Sequence, residues 1–506
     1  MADPYAPRTY ADLIHAGLTR YDDRIAFIDG ESTLTYRQTA SLVAAFRARL
    51  RAAGMRPGDG VAVLAGNRPE TFVAMAAIVL EGGCYTPLHT EASIADQLHV
   101  LGVAGVRILC VELPRFAESL AQLRAGYGGT VLDIDPEARA SALAAADGLR
   151  LGAPCPRAYD DICYLGFSGG TTGKPKGIAR SHRVFATNAL YSAVEWEWPG
   201  RIVFLAATPM SHAAGAMMAP ILLRGGTAVT MQRFTPLDFA RAVERHGVTC
   251  TFLVPTMIYR LLDDPELDDA RLAGLETVMY GASRIDPHRL GEAVDRFGPR
   301  FMQLYGQAEA PNLISVLRKE EHAGARLASC GRPVACATVR IVGEDGRDCA
   351  VNEPGEICVR GPIVMDRYHR LPELTAETLR EGWLHTGDVG RLDADGFLYV
   401  VDRLKDMIVT GGLNVFASEV EDVLGEHPDV AAVAVVGTPD AEWGEIVTAC
   451  IVLRAGAAAL DEAELKALVR TRKGPVHVPK RFEVLAALPL TPLGKPDKKA
   501  LRDQLV

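Results

Sequence analysis

Through the larger, N-terminal part of the chain, short apolar runs alternate with amphipathic stretches. "GVAVLAG" (Gly60 to Gly66) is apolar at every position between its glycines, the pattern of a buried strand. "RPETFVAMAAIVLEGG" follows it, and Pro69 near the start and Gly82 at the end bracket a helix. The same alternation recurs in "RIVFLAATP", "GTAVTMQRF", a helix from Pro236 to His246, "VTCTFLVP", "LETVMYGAS" and "RFMQLYGQAEA". Short apolar strands separated by helices predict mainly parallel α/β sheets. From about Val334 to Val364 the runs "TVRIVG" and "GEICVRG", broken by Gly and Pro, predict a small all-β unit. Beyond "DGFLYVVDRLKDMIVTGG" the pattern becomes helix, strand, strand, helix, strand. "ASEVEDVLGEH", "VAAVAVVG", "EIVTACIVL", "DEAELKALVRTR" and "RFEVLAALP" carry it. That is a compact α+β domain of about a hundred residues. The fold class expected is therefore α/β, with a large N-terminal domain of several subdomains and a small α+β C-terminal domain. The boundaries expected are 1–402, a junction at 403–405, and 406–506. No internal repeat or low-complexity linker interrupts this order.

Length and composition narrow the classes. A chain of 506 residues is too long for one core. Its 48% hydrophobic and 23% charged residues are ordinary globular values. The net charge of −9 leaves no basic footprint for nucleic acid, so none is expected as a partner. Ten cysteines are scattered without a C-x-x-C pair, which argues against a zinc site and for reduced thiols. The start, "MADPYAPRTYADLIH", lacks a basic segment followed by an apolar core, so no signal peptide is expected. The longest apolar run, around Ala213 to Leu223, falls short of the roughly 18 residues that span a bilayer. A cytoplasmic protein without stable membrane insertion is the expectation, and a homodimer is left open.

The densest chemistry lies in "FSGGTTGKPKGIARSH", Phe167 to His182. Gly169, Gly170, Gly173 and Gly177 let the backbone turn and approach a ligand closely. Ser168, Thr171 and Thr172 add hydroxyls, and Lys174 and Lys176 add positive charge. Together they suit phosphate oxygens. The plainer alternative is a surface loop between two strands. The P-loop of common nucleotidases does not fit. Pro175 stands where that motif needs Ser or Thr after Gly173-Lys174, and Ser168 stands where it needs Gly. Pro175 also biases Lys174 away from helical angles, so no helix is expected to start there.

Four more stretches add groups that are weak singly. "YGQAEA" (Tyr305 to Ala310) ends a predicted strand, where α/β folds place ligands. Its aromatic can stack on a base, and its acid can hold Mg²⁺. "GWLHTGD" sets Asp388 after a tight turn, suited to ribose hydroxyls. "DRLKDMIVTGG" combines Arg403 and Lys405 with a glycine pair. "TPLGKPDKKAL" places Lys495 on a Gly-Lys-Pro turn.

Taken in order, from roughly Leu34 to Leu501, these stretches resemble the acyl-adenylate-forming superfamily. It contains acyl-CoA synthetases, firefly luciferase and nonribosomal-peptide adenylation domains. The chain looks most like a stand-alone acyl-CoA synthetase. The resemblance implies that Ser168, Gly169, Gly170, Thr171, Thr172, Gly173 and Lys176 hold the β- and γ-phosphates of ATP. Ser168 and Gly169 stand where Thr and Ser are commoner. Tyr305 and Gly306 would lie on adenine with the Gly281-Ala282 turn opposite, and Glu309 would ligate Mg²⁺. Asp388 and Arg403 would grip the ribose, and Lys495 would reach the α-phosphate and the carboxylate. Thr171 and His212 join Lys495 and Glu309 as the residues implied to serve catalysis.

The chemistry implied has two steps. A carboxylate attacks the α-phosphate and pyrophosphate leaves. A thiol, that of coenzyme A, then attacks the acyl-AMP. The first step joins two anions, so positioning and charge neutralisation dominate, and no general base is needed. The resemblance further implies that the C-terminal domain is mobile and turns about Lys405 between the steps. That turn would bring Gly411 and Gly412 against the pantetheine tunnel. His212, in "PMSHAAG", matches a position lining the acyl pocket, unless it is simply a hydrogen-bonded core histidine. Ala213, Ala214, Gly215 and Ala216 leave room beside it, and Met217 and Met218 adapt to irregular shapes. A bulky or long apolar acid is therefore expected. Two alternatives stand beside this: loading of a carrier-protein thiol, and a nucleotide-binding homologue without catalysis. Ala308 in "YGQAE" departs from the usual Tyr-Gly-x-Thr-Glu.

Overall fold

Two large sheets share one apolar interior. In the first, the strands Thr277–Gly281, Cys250–Leu253, Val203–Ala206, Thr227–Thr230 and Ile25–Asp29 run parallel in register. Phe301–Gln307 continues the parallel set on one side, and antiparallel Ala310–Leu317 lies beyond it. In the second sheet, Gly60–Leu64 lies between Cys84–Pro87 and Val106–Glu112, all parallel. Ile162–Ser168 follows Cys84–Pro87 and turns back as Lys176–Ser181 in an antiparallel hairpin. The structure is a computed structural model that describes residues 7–168, 174–454, 456–457, 461–491 and 496–505.

Strand alternation sorts the side chains into layers. Met279 points into the core between the sheets, while Val278 and Tyr280 point to the outer face. Val61 and Val63 enter the same shared core, and Ala62 and Leu64 face away from it. The helices Tyr10–Arg20, Pro69–Leu80, His182–Glu195 and Ala213–Leu223 contribute to the shared core. Pro69–Leu80 is buried from Thr71 to Leu80 without a polar face, as a helix covered on all sides must be. Helices on the outer faces are amphipathic instead. Pro236–His246 spans the residues its punctuation predicts. Pro236 sits at its first position, Thr235 accepts the Asp238 N–H, and Gly247 at φ 58° ends it.

The small β unit expected over Val334 to Val364 extends to Arg403. Gly355–Arg360 pairs antiparallel with Thr338–Val342 and with Trp383–Leu392, which pairs in turn with Leu398–Arg403. The polar run "HTGD" hides the strand Trp383–Leu392 in the sequence, because its ligand-facing positions break the apolar pattern. After a 3₁₀ turn at Leu404–Asp406 the chain enters another sheet. That sheet holds Ile408–Thr410, Leu413–Val415, Val430–Asp440, Gly444–Leu453 and Arg481–Val484. The helices Ala417–Gly425 and Glu462–Lys473 close a separate core around Val420, Val435, Ile451, Leu465 and Val469. Arg284 pairs with Asp422, and Arg454 with Glu292 at 3.6 Å, across to the large part. Among the described residues no helix is long and apolar enough to cross a membrane.

Candidate active site

The carboxyl ends of Thr277–Gly281 and Phe301–Gln307 lie side by side, with Gly281 opposite Leu304. A Cβ at Gly281 would overlap the Leu304 carbonyl, so the backbone itself demands glycine there. Ala282 follows at φ 70°, a left-handed conformation uncommon outside glycine, and fixes the turn. Gly306 is equally constrained, because a Cβ would overlap the Asn312 N–H across the hairpin.

The side chains leaving these strand ends converge on Asp388. The Tyr305 hydroxyl donates to Asp388 Oδ2 at 2.7 Å, and Gln307 Nε2 donates to the same oxygen at 2.6 Å. Arg403 lies directly across the ladder from Asp388, with Nε 3.1 Å from Oδ1. Asp388 is 3% exposed, and its Oδ1 makes no aligned hydrogen bond among the described residues. A buried carboxylate oxygen in that condition calls for a hydroxyl donor. Burial first, and then the Asp388 carboxylate, push the Tyr305 hydroxyl well above its ordinary pKa, so it remains a donor. The turn before Asp388 is held from behind. Glu356 Oε1 accepts the Gly387 N–H at 3.1 Å, and Oε2 lies 2.6 Å from His385 Nδ1. Cys358 completes a carboxylate–thiol–imidazole group, but Arg380 Nη2 stands 2.6 Å from the same His385 nitrogen. With a guanidinium already there, the group braces the turn and does not offer a cation site.

Glu309 comes to this place through another sheet. Tyr368 donates its hydroxyl to Glu309 Oε1 at 2.8 Å, and the Met365 N–H donates to the Glu309 carbonyl at 2.7 Å. The strand Arg367–Tyr368 pairs with Lys176–Ser181. Glu309 is thereby brought beside the hairpin whose ladder ends at Ser168 opposite Lys176. An oxygen donor here suits a hard divalent cation next to phosphates. Gly169, Gly170, Thr171, Thr172, Gly173 and Lys495 lie outside the described residues. After Pro175 the chain enters a strand, in keeping with the absence of a helix start.

His212 begins the helix Ala213–Leu223. Its Nδ1 lies 2.9 Å from Ser211 Oγ, and its ring meets the edge of His89 at 5.0 Å between centroids. Ala214, Met217 and Met218 are buried in the shared core. A Cβ at Gly215 would overlap the Met210 carbonyl, so the backbone at the helix start by itself requires glycine there. Gly411 and Gly412, at φ 57° and 78°, form the two-residue turn of the hairpin Ile408–Thr410 to Leu413–Val415. Gly411 donates its N–H to the Trp443 carbonyl at 2.9 Å, and a Cβ on it would press on the Trp443 ring. Space around Gly412 is open. Lys405 is exposed in the turn Leu404–Asp406.

Sequence reasoning missed Gln307, Tyr368, Glu356 and His89. A glutamine two residues after Tyr305 on one strand shares its face, which was the available signal for Gln307. The other three are joined to the site only through the fold.

Comparison with known proteins places this geometry. The model of the AMP-binding enzyme family matches residues 15–369, and that of the AMP-binding enzyme C-terminal domain matches residues 419–495. The medium/long-chain-fatty-acid–CoA ligase FadD8 of Mycobacterium tuberculosis is 44% identical, over 98% of this chain and 90% of its own. A feruloyl-CoA synthase of Amycolatopsis is 38% identical, over 92% and 93%. Among solved structures, the amide bond synthetase McbA from Marinactinospora thermotolerans superposes with a TM-score of 0.90 at 34% identity, covering 98% of this chain and 99% of that one.

Proposed function

The chain belongs to the AMP-binding enzymes, and on that footing we propose that it is an acid–thiol ligase for a bulky or long apolar acid. It activates the carboxylic acid with ATP to an acyl-AMP, releasing pyrophosphate, and transfers the acyl group to coenzyme A, releasing AMP. The observation that carries the nucleotide role is the buried Asp388 carboxylate. Three side chains from two other strands hold it, and Oδ1, paired with Arg403 but without an aligned hydrogen bond among the described residues, can accept from a ribose hydroxyl.

The roles follow from placement. Tyr305 and the Gly281-Ala282 turn flank adenine, and Asp388 with Arg403 holds the ribose. The loop from Ser168 through Gly169, Gly170, Thr171, Thr172 and Gly173 to Lys176 receives the phosphates. Glu309 would hold Mg²⁺, which when bound neutralises phosphate charge as pyrophosphate departs. Lys495 brings a cation to the α-phosphate and the attacking carboxylate, where charge stabilisation counts most. His212 and Ala213 line the acyl pocket near the carboxylate. The relatives that act on fatty and ferulic acids support an apolar acid.

Residues 1–402 form the nucleotide- and acyl-binding part and 406–506 the mobile part, with Lys405 at the pivot. The Gly411-Gly412 turn lines the thiol channel in the second step. Gly412 gives the better probe of that channel, since a side chain on Gly411 would collide with Trp443. Gly412→Asn keeps a residue that tolerates positive φ. It is expected to slow thioester formation and spare ATP–pyrophosphate exchange. A cytoplasmic setting fits the ten free cysteines.

ATP–pyrophosphate exchange across a carboxylic-acid library tests catalysis and identifies the acid. Exchange with no acid would leave a nucleotide-binding homologue. Parallel reactions with coenzyme A and with a panel of carrier proteins then decide the acceptor.

A further inference from the structure

One buried charge near the reacting end has no role in the scheme above. Arg180 lies on the strand Lys176–Ser181, opposite Tyr164 in the ladder. Its neighbours Ile178 and Ala179 are fully buried, and Arg180 itself is only 8% exposed. Among the described residues its Nε has no hydrogen-bond partner, and the Tyr164 side chain first, and then the Glu309 carboxylate, act to hold its charge. A desolvated guanidinium in that state is costly unless an anion meets it.

The surroundings are built to keep it there. The guanidinium carbon stacks 4.3 Å from the Tyr164 ring centroid and 5.3 Å from that of Phe185. Gly166, next on the same face of the paired strand, clears its path, since a Cβ there would overlap Arg180 Nη2. Aromatic faces hold a cation but do not neutralise it. Burial pulls the Arg180 pKa below its ordinary value, yet a guanidinium stays charged at any working pH.

Its position is telling. The hydroxyl of Tyr164, on whose ring it stacks, donates to the Ser211 carbonyl at 3.4 Å, one residue before His212. The next residue along its strand, Ser181, donates its N–H to Asp366 at 2.7 Å, beside the Met365 N–H that holds Glu309. Arg180 thus stacks on the tyrosine that reaches the residue before His212, and it feels the Glu309 carboxylate. We propose that Arg180 is the docking cation for the carboxylate of the acid substrate, holding it before attack on the α-phosphate. The proposal rests on the acid-activating function and on His212 and Glu309 marking the reacting end.

An anion bound by a buried cation should lose affinity when the charge goes, while ATP should not. Arg180→Met keeps the apolar stem and removes the charge; Arg180→Lys keeps a charge. The probe is the best acid of a panel running from octanoate to dodecanoate plus ferulate, chosen by exchange with the wild type. If the wild type exchanges with none of them, the functional reading fails, and the Arg180 assignment fails with it. If it does exchange, Arg180→Met should raise KM for the acid by about 10- to 100-fold, the range of a hydrogen bond to a charged group. KM for ATP should stay within about twofold, and Arg180→Lys should recover part of the loss. The matching pre-made acyl-AMP, whose carboxyl is no longer an anion, should be converted to thioester at near the wild-type rate. The neutral amide of the same acid should compete equally well against both proteins. An unchanged acid KM, or an ATP KM that rises as much, overturns the assignment. If Arg180→Met does not fold, Arg180→Lys and the amide comparison decide by the same criteria.

Discussion

The two ends of the site are built in different ways. At the proposed nucleotide end, polar side chains from distant strands meet on one carboxylate: Tyr305, Gln307 and Arg403 on Asp388. At the proposed acyl end, a helix start is packed against backbone, with Gly215 under the Met210 carbonyl and Met217 and Met218 sunk in the core. A hydrogen-bonded network fixes directions and suits a ligand that never varies. A packed apolar wall fixes volume and can be changed one methyl at a time, which suits a ligand that differs among relatives. Relatives in the same family are named for different acids, a medium- or long-chain fatty acid and ferulate.

The largest break is expected at Lys495, the cation proposed to serve both the α-phosphate and the acid. Lys495→Ala should reduce acyl-AMP formation by about 10²–10³-fold or more, because a charged transition-state contact is lost. Conversion of pre-made acyl-AMP to thioester should be largely spared. Equal damage to both half-reactions, measured separately, would remove Lys495 from the first step.

Next comes the nucleotide end alone. Asp388→Ala leaves Tyr305, Gln307 and Arg403 without their common acceptor and removes the ribose partner. KM for ATP should rise by about tenfold or more, as for loss of charged hydrogen bonds, and KM for the acid should hardly move. A variant in which both constants rise together would show that the ends are mechanically coupled, and the comparison would fail.

The acyl end should respond in the opposite sense. Gly215→Ala forces the start of Ala213–Leu223 away from Met210 and should cost roughly 1–3 kcal/mol of stability, as overpacking does. Acid KM should change several-fold and ATP KM should not. A melting temperature equal to that of the wild type would show that the helix start yields freely, so that Gly215 is small for the ligand after all.

These differences track what the sequence could reveal. The strands and helices around both ends are legible because apolar periodicity is local, and Pro236–His246 is read to the residue from its caps. Lys176 and Glu309 are legible as chemistry, but the strand Arg367–Tyr368 that joins them is not, since two residues carry no period. Asp388 is legible as a turn acid. Its contact with Tyr305, 83 residues away, exists only once two sheets meet. Gly215 and Gly411 show the converse: a small residue in a functional stretch serves backbone geometry, which composition cannot separate from ligand space. Arg180 is visible in "KGIARSH" four residues after Lys176, but its burial, which sets it apart from that lysine, belongs to the fold and not to the sequence.

The smallest effect, and the sharpest test of how complete the nucleotide end is, concerns Ala308. It stands where the family usually carries Thr, whose hydroxyl approaches the α-phosphate of the adenylate. Ala308 and Glu309 form the two-residue turn between Gln307 and Ala310, and Ala308 is exposed. An exposed position has room for a threonine, in contrast to Gly306 two residues earlier, where any Cβ overlaps the facing strand. The fold should therefore accept Ala308→Thr without loss of stability. A hydrogen bond to a charged oxygen is worth roughly 1.5–3 kcal/mol when shielded, and an exposed turn keeps the gain at or below the low end. Ala308→Thr should speed single-turnover acyl-AMP formation, or slow acyl-AMP release, by a few-fold, with the acid KM unchanged. The outcome also separates two designs of the same end. A gain means that the network on Asp388 positions the nucleotide while the α-phosphate remains under-bonded. A slower variant means that another donor already fills that direction, and that the extra methyl and hydroxyl crowd it.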